Sequence, residues 1–156
     1  MVNLNLRHKC MEFSTKGKIV YDPDRKGMKS NTDNWAIITM TDDDLAAYYR
    51  YQFFKKFNIT LDKPSWEPHI TVLKNAKEYN KEIPWGYRDQ EIVEVNYGHE
   101  LFWNHEHVWL NAYSEAFYDL IYTYYIARNY GIGHITIGRF NKKDIGRIAE
   151  FKSYRD

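Results

Sequence analysis

Two tripeptides carry the residues best suited to chemistry in this chain: His69-Ile70-Thr71 within EPHITVLKN, and His134-Ile135-Thr136 within GIGHITIGRF. With 6 His, 14 Ile and 8 Thr in 156 residues, random order would give about 0.03 copies of this tripeptide, so chance does not account for two. In a β-strand successive side chains alternate, and residues i and i+2 share a face. His69 therefore points with Thr71, and His134 with Thr136, while Ile70, Val72, Ile135 and Ile137 anchor the opposite faces. Two such strands side by side would offer two imidazoles and two hydroxyls to one groove.

That set suits cleavage of a phosphodiester beside a ribose 2′-hydroxyl. One neutral imidazole takes the proton of the attacking 2′-oxygen, and one imidazolium protonates the departing 5′-oxygen. A pKa of about 6.5 populates both forms near neutrality. The threonine hydroxyls can donate to the non-bridging oxygens as charge builds there, and the chemistry needs no metal and no other cofactor. One copy alone would read as a polar residue on a half-exposed strand, with Thr present for its β propensity. Strict alternation puts Lys74 and Arg139 on the isoleucine faces, away from any phosphate.

Elements able to position these strands are legible on either side. WAIITM, from Trp35, reads as a strand and TDDDLAAYYRYQFFKKFN as a helix. Thr41 is placed as N-cap with Asp44 three residues on, and acids at the start and Lys55 and Lys56 at the end suit the helix dipole. Leu45, Tyr49, Phe53 and Phe57 recur at helical spacing as a core stripe. Pro64 and Pro68 bracket a loop, and HITVL follows as a strand. The second half repeats the order: EIVEVNY and HVWLNAY as strands, a helix over SEAFYDLIYTYYIARN capped by Ser114 and stopped by Gly131, then the strand HITIG.

The expected fold class is α+β, a single catalytic domain over 1–156 with internal pseudo-symmetry. A basic arm spans about 1–31, with a surplus of four positive charges. Its Gly, Pro and Asn content predicts turns and a loop, with at most a short strand at Lys18 to Tyr21. A first lobe spans about 32–75 and a second about 90–140, joined by the polar stretch KNAKEYNKEIPWGYRDQ. The tail, 141–156, is read as a short helix using Ile145, Ile148 and Phe151, or as a lid.

Composition narrows the function. With 22 Lys plus Arg against 21 Asp plus Glu, the field of the whole protein gives no general attraction for polyanions, which argues against a long nucleic acid partner. No apolar run approaches the ~20 residues that span a bilayer, and the polar N-terminus lacks a signal-peptide centre, so no membrane partner is expected. The lone Cys10 points to a reducing, cytoplasmic compartment. Aromatic residues make up 17% of the chain, more than a core of this size requires, which suggests that some rings serve a ligand.

The paired motif resembles the signature of the two-histidine phosphoesterase superfamily, His-x-Thr-hydrophobic twice, here HITV and HITI. Within it, the length and the opening NLNLRHKCMEFSTKGKIVYDP are similar to the phage anti-CBASS phosphodiesterases. Those enzymes degrade the cyclic oligonucleotides that bacterial CBASS defence uses as alarm signals. The resemblance implies two α+β lobes around a concave, antiparallel-rich sheet, helices outside, and His69, Thr71, His134 and Thr136 as catalytic residues. It also implies cleavage of a 3′-5′ phosphodiester through a 2′,3′-cyclic phosphate, in the host bacterial cytoplasm. Such a substrate presents bases as well as phosphates, and Tyr21, Trp35, Trp66 and Trp109 are candidate stacking rings.

His105-Glu106-His107 has spacing for two ligands on one metal, but no third is fixed, and a solvated hairpin is the preferred interpretation. The histidine-triad nucleotide hydrolases are excluded, because HEHVW puts Trp109 where a third histidine would stand. Two alternatives to a cyclic-oligonucleotide enzyme are an RNA-end 2′,3′-cyclic or 2′-5′ phosphodiesterase and a non-catalytic nucleotide sponge.

Overall fold

The structure is a computed structural model that describes residues 13–24, 34–42, 44–74, 81–124, 133–141 and 143–144. In chain order the elements are β1 (Phe13–Tyr21), β2 (Ala36–Met40), α1 (Asp44–Phe57), β3 (His69–Leu73), β4 (Ile92–Trp103), β5 (His107–Tyr113), α2 (Glu115–Thr123) and β6 (Gly133–Arg139). The six strands form one sheet in the order β3-β2-β1-β4-β5-β6, every pairing antiparallel. The expected α+β class is found. Each half contributes two strands, a helix and a third strand, and the strand order is a palindrome about the β1–β4 pair.

Alternation defines most of the core and is interrupted by register shifts at Ala36/Ile37, Tyr97/Leu101 and Val108/Trp109. Ile19, Ile38, Ile70, Val72, Val93, Val95, Leu110, Ile135 and Ile137 are buried and share one cluster with Leu45, Tyr49 and Phe53 of α1 and Phe117, Leu120 and Ile121 of α2. One face of the sheet is therefore covered by the two helices, and the opposite, more open face carries the partly exposed polar residues together with the buried Ile37, Phe102 and Trp109. The helices cross over between halves. α1 packs on the second half: Phe53 meets Trp103 and Phe140 at ring distances of 5.9 and 5.7 Å, and the Arg50 guanidinium donates to the Ile137 carbonyl at 2.8 Å. α2 lies against β3.

Both helix starts differ from the expected caps in the same way. Thr41 donates its hydroxyl to the Lys16 carbonyl at 2.9 Å, and the Asp44 N–H is received by Asp42 Oδ1 at 2.9 Å. Ser114 stands at the N-cap of α2 in extended backbone but makes no side-chain cap bond; its hydroxyl donates to the Glu94 carbonyl at 2.8 Å. Lys16 and Glu94 are partners across the β1–β4 pairing. Each hydroxyl thus satisfies a strand carbonyl at the symmetry axis instead of a helix N–H.

The N-terminal region differs most from its sequence-based expectation. Residues 13–21 form a nine-residue strand in the middle of the sheet, where a loop with a short strand is expected. The glycine that suggests a turn is there for close packing: a Cβ on Gly17 would collide with Ile38 Cγ2 and stand 3.2 Å from Val95 Cγ2. The polar link after β3 is clamped where it is described. The Tyr124 hydroxyl, fully buried, donates to the Pro84 carbonyl at 2.8 Å and accepts from the Tyr87 N–H at 3.0 Å. The Trp85 indole donates to Asp22 Oδ2 at 2.8 Å. Cys10, Gly131 and the residues of the tail helix lie outside the described residues. No helix among the described residues is long and apolar enough to cross a membrane.

Gly17→Ala overpacks the contact between β1 and β2 and is expected to cost about 1–3 kcal/mol. The measurement is a urea unfolding curve with a lower midpoint and an unchanged slope.

Candidate active site

The two His-x-Thr strands are the two outer strands of the sheet, β3 and β6, and they approach each other as the sheet curls. An isolated antiparallel bridge ties Asp62, ahead of β3, to Arg139 at the end of β6, with N–H to carbonyl distances of 2.9 and 3.0 Å. Further along the seam, Ile70 Cγ2 lies 3.1 Å from where a Cβ on Gly133 would sit. These two contacts bring the strands that carry His69 and His134 to one seam. The motif isoleucines Ile70, Ile135 and Ile137 are buried at 0–1% exposure, whereas His69, Thr71 and Thr136 are partly exposed and His134 is exposed. All four motif polar residues lie on the open face.

Register supplies matching neighbours. Across β2–β3, Thr39 pairs with His69 and Ile37 with Thr71. Across β5–β6, Asn111 pairs with His134 and Trp109 with Thr136. Each histidine thus has a small polar residue opposite it, and each threonine an apolar one. Thr39 and Asn111 are absent from the sequence-based site. Their only signal is a polar residue inside the apolar strands WAIITM and HVWLNAY, which says nothing of its partner until the register is known.

His69 is closely held. Its Nδ1–H donates to the Glu67 carbonyl at 2.7 Å, and the ring of Trp66 lies against the imidazole at 4.2 Å with a 43° tilt. Burial removes water from the cation and pushes the His69 pKa below its ordinary value, outweighing the upward pull of the Glu67 hydrogen bond. On the other side Trp109 stands 6.1 Å from His134 and 6.5 Å from Phe102.

The four candidate stacking rings therefore occupy different settings. Trp66 is half-buried beside His69. Trp109 is on the histidine face but only 8% exposed. Trp35 is 7% exposed and is covered by the Lys74 ammonium at 5.4 Å from its ring centroid. Tyr21 pairs with Ala36 two residues from Ile19–Ile38, which puts it on the helix-covered face. There its hydroxyl donates to the Tyr87 carbonyl at 2.9 Å, and burial, with Tyr124 adjoining, pushes its pKa well up. Tyr21 therefore does not join the histidines.

Lys74 and Arg139 depart from strict alternation, because register shifts pair Leu73 with the buried Ala36 and Gly138 with the buried Val108; both cations are thereby turned off the isoleucine faces, Lys74 over the Trp35 ring and Arg139 donating to Ser65 Oγ at 3.0 Å. The His105-Glu106-His107 run forms the β4–β5 turn, whose Glu106 and His107 N–H groups both donate to Asn104 Oδ1, at 2.8 and 2.7 Å. Among the described residues no three of His, Cys, Asp and Glu are grouped to hold a metal ion. A groove of about 1320 Å³ lies away from the motif strands between α1 and β4 and is lined by Phe13, Tyr48, Tyr97, His99 and Trp103 among others.

No family model matches the chain, and neither curated proteins nor solved structures give a match.

The His69 imidazole is expected to titrate below pH 6.5 in an NMR pH series. Because burial is the main cause, Trp66→Ala, which opens the ring to water, should move the midpoint upward toward that value. Folding stability has the corresponding sign: the neutral His69 contributes fully above the unfolded pKa and loses that contribution as pH falls toward the folded one.

Proposed function

We propose that this protein is a metal-independent phosphodiesterase of the two-histidine type. Its substrates are cyclic di- and trinucleotide signals such as 3′,3′-cyclic GMP-AMP, and their removal blunts bacterial CBASS defence. The observation that carries it is the pairing of two His-x-Thr strands, each with its imidazole and hydroxyl on the open face, at one seam of a palindromic sheet. The two halves would act as the lobes of the superfamily fold. A site built only to bind a nucleotide has no need of a duplicated acid-base group.

In the reaction one imidazole accepts the 2′-hydroxyl proton as the 2′-oxygen bonds to phosphorus. The P–O5′ bond breaks, and the other imidazole gives its proton to the 5′-oxygen. The ring opens to a linear product ending in a 2′,3′-cyclic phosphate. Thr71 and Thr136 donate to the non-bridging oxygens, where charge accumulates. Thr39 and Asn111, opposite the histidines in register, add polar groups along the same line. Trp66, flat and half-exposed next to His69, offers a base a stacking surface worth about 1–3 kcal/mol.

His69→Ala and His134→Ala should each lower turnover of 3′,3′-cyclic GMP-AMP by about 10²–10⁴-fold, the range of a lost general acid or base, while binding is largely kept. Chromatography of the products in EDTA reads the outcome. Intact ligand recovered from a tight complex with the unaltered protein would mean a sponge. Faster cleavage of a short RNA carrying a 2′,3′-cyclic end would shift the substrate to RNA termini.

A further inference from the structure

We infer that Arg139, the last residue of the second motif strand, is a positioning residue for the first motif: through Ser65 it holds the loop that seats the Trp66 ring against His69. Its effect on the ring stands on geometry alone, and its effect on turnover rests on the phosphodiesterase function proposed above.

The loop from Asp62 to Pro68 runs from a contact with β6 to the start of β3. At its beginning, Asp62 and Arg139 exchange N–H to carbonyl bonds of 2.9 and 3.0 Å. Gly138 permits that approach, since a Cβ there would stand only 3.0 Å from Leu61 Cβ and Cδ1. The Arg139 guanidinium then extends along the loop and donates to Ser65 Oγ at 3.0 Å. At the far end, the Glu67 carbonyl accepts from the His69 ring at 2.7 Å, and the Pro68 carbonyl accepts from the Met40 N–H of β2 at 3.0 Å. Trp66 thus lies between two anchors, Ser65 tied to the second half and Glu67 tied to the first.

The rest of the loop has little freedom. Pro64 and Pro68 fix their own φ and confine Lys63 and Glu67, which precede them, to extended backbone. What remains is rotation about Ser65 and Trp66, and the guanidinium bond restrains it at Ser65. A half-buried indole has many apolar resting places; a backbone held on both sides selects the one 4.2 Å from the imidazole. Arginine suits the task because its planar fork stays charged and offers a donor at every working pH. Ser65 and Arg139 are both exposed, so the bond is of modest strength. Its leverage comes from acting one residue before the ring.

The test is an NMR spectrum of the full chain, because an indole this close displaces the resonances of the His69 ring protons through its ring current. Trp66→Ala marks the position reached when that effect is lost. In Ser65→Ala and in Arg139→Ala the His69 resonances should move toward that position. The double variant should move them no further than Arg139→Ala alone, since the two side chains form one bond. Arg139→Lys, which keeps a charged donor, should restore most of the displacement. Resonances that stay in place in either single variant, or single effects that add in the double one, would overturn the inference. Ser65→Ala removes only an exposed hydroxyl, so it reads the bond even if Arg139→Ala fails to fold by circular dichroism. On 3′,3′-cyclic GMP-AMP both single variants should raise KM about 2- to 5-fold, the size of a lost contact between exposed groups, with kcat little changed. A loss confined to Arg139→Ala would mean a guanidinium acting on the substrate phosphate and would overturn the positioning role. Absence of turnover by the unaltered protein would defeat the phosphodiesterase proposal, and the His69 resonances would then decide the positioning role by themselves.

Discussion

The antiparallel pairing of β1 with β4 is the constraint on which the rest of this fold depends. It joins two halves of equal order into one sheet and thereby sends β3 and β6 to the two outer positions. Only because both are outermost can the curl of the sheet bring them together. The same axis is marked by the two hydroxyls of Thr41 and Ser114, which donate to Lys16 and Glu94 on either side of it. Those bonds fix where each chain segment leaves the sheet to begin its helix, and so the path each helix takes beneath the opposite half.

Alternation within the motif strands was legible in the sequence, because it depends only on the two-residue period of a strand. The buried isoleucines and the outward histidines and threonines follow that period in both copies. The α1 core stripe was legible for the same reason, with Leu45, Tyr49 and Phe53 buried. Contacts that depend on a distant partner were not legible. Gly17 reads locally as a turn residue, and only the approach of Ile38 and Val95 reveals why a side chain is excluded from that strand. Thr41 and Ser114 stand where caps belong, yet their hydroxyls are claimed by carbonyls 25 and 20 residues away in sequence. Tyr21 reads as an available ring, and its face is decided by the pairing of β1 with β2.

The site is symmetric in its strands, while the described rings beside the two histidines stand at different distances. Each side carries a histidine, a threonine, a polar cross-strand neighbour and a tryptophan. The loop between Pro64 and Pro68 nevertheless gives His69 a carbonyl and a closely packed indole at 4.2 Å, whereas the indole near His134 is 6.1 Å away and comes from a neighbouring strand.

The exchange of helices between halves has a consequence for how the molecule comes into being. Phe53 of α1 finds Trp103 and Phe140 only in the second half, and β3 is covered by a helix made some 45 residues after it. Neither half owns a complete core, because each helix packs against strands of the other half. Contacts of such sequence separation must form before they stabilise anything, which slows folding and couples the two halves into one cooperative transition. The seam between β3 and β6 joins the two outer strands, so it is complete only when all six strands of the barrel-like sheet are in place.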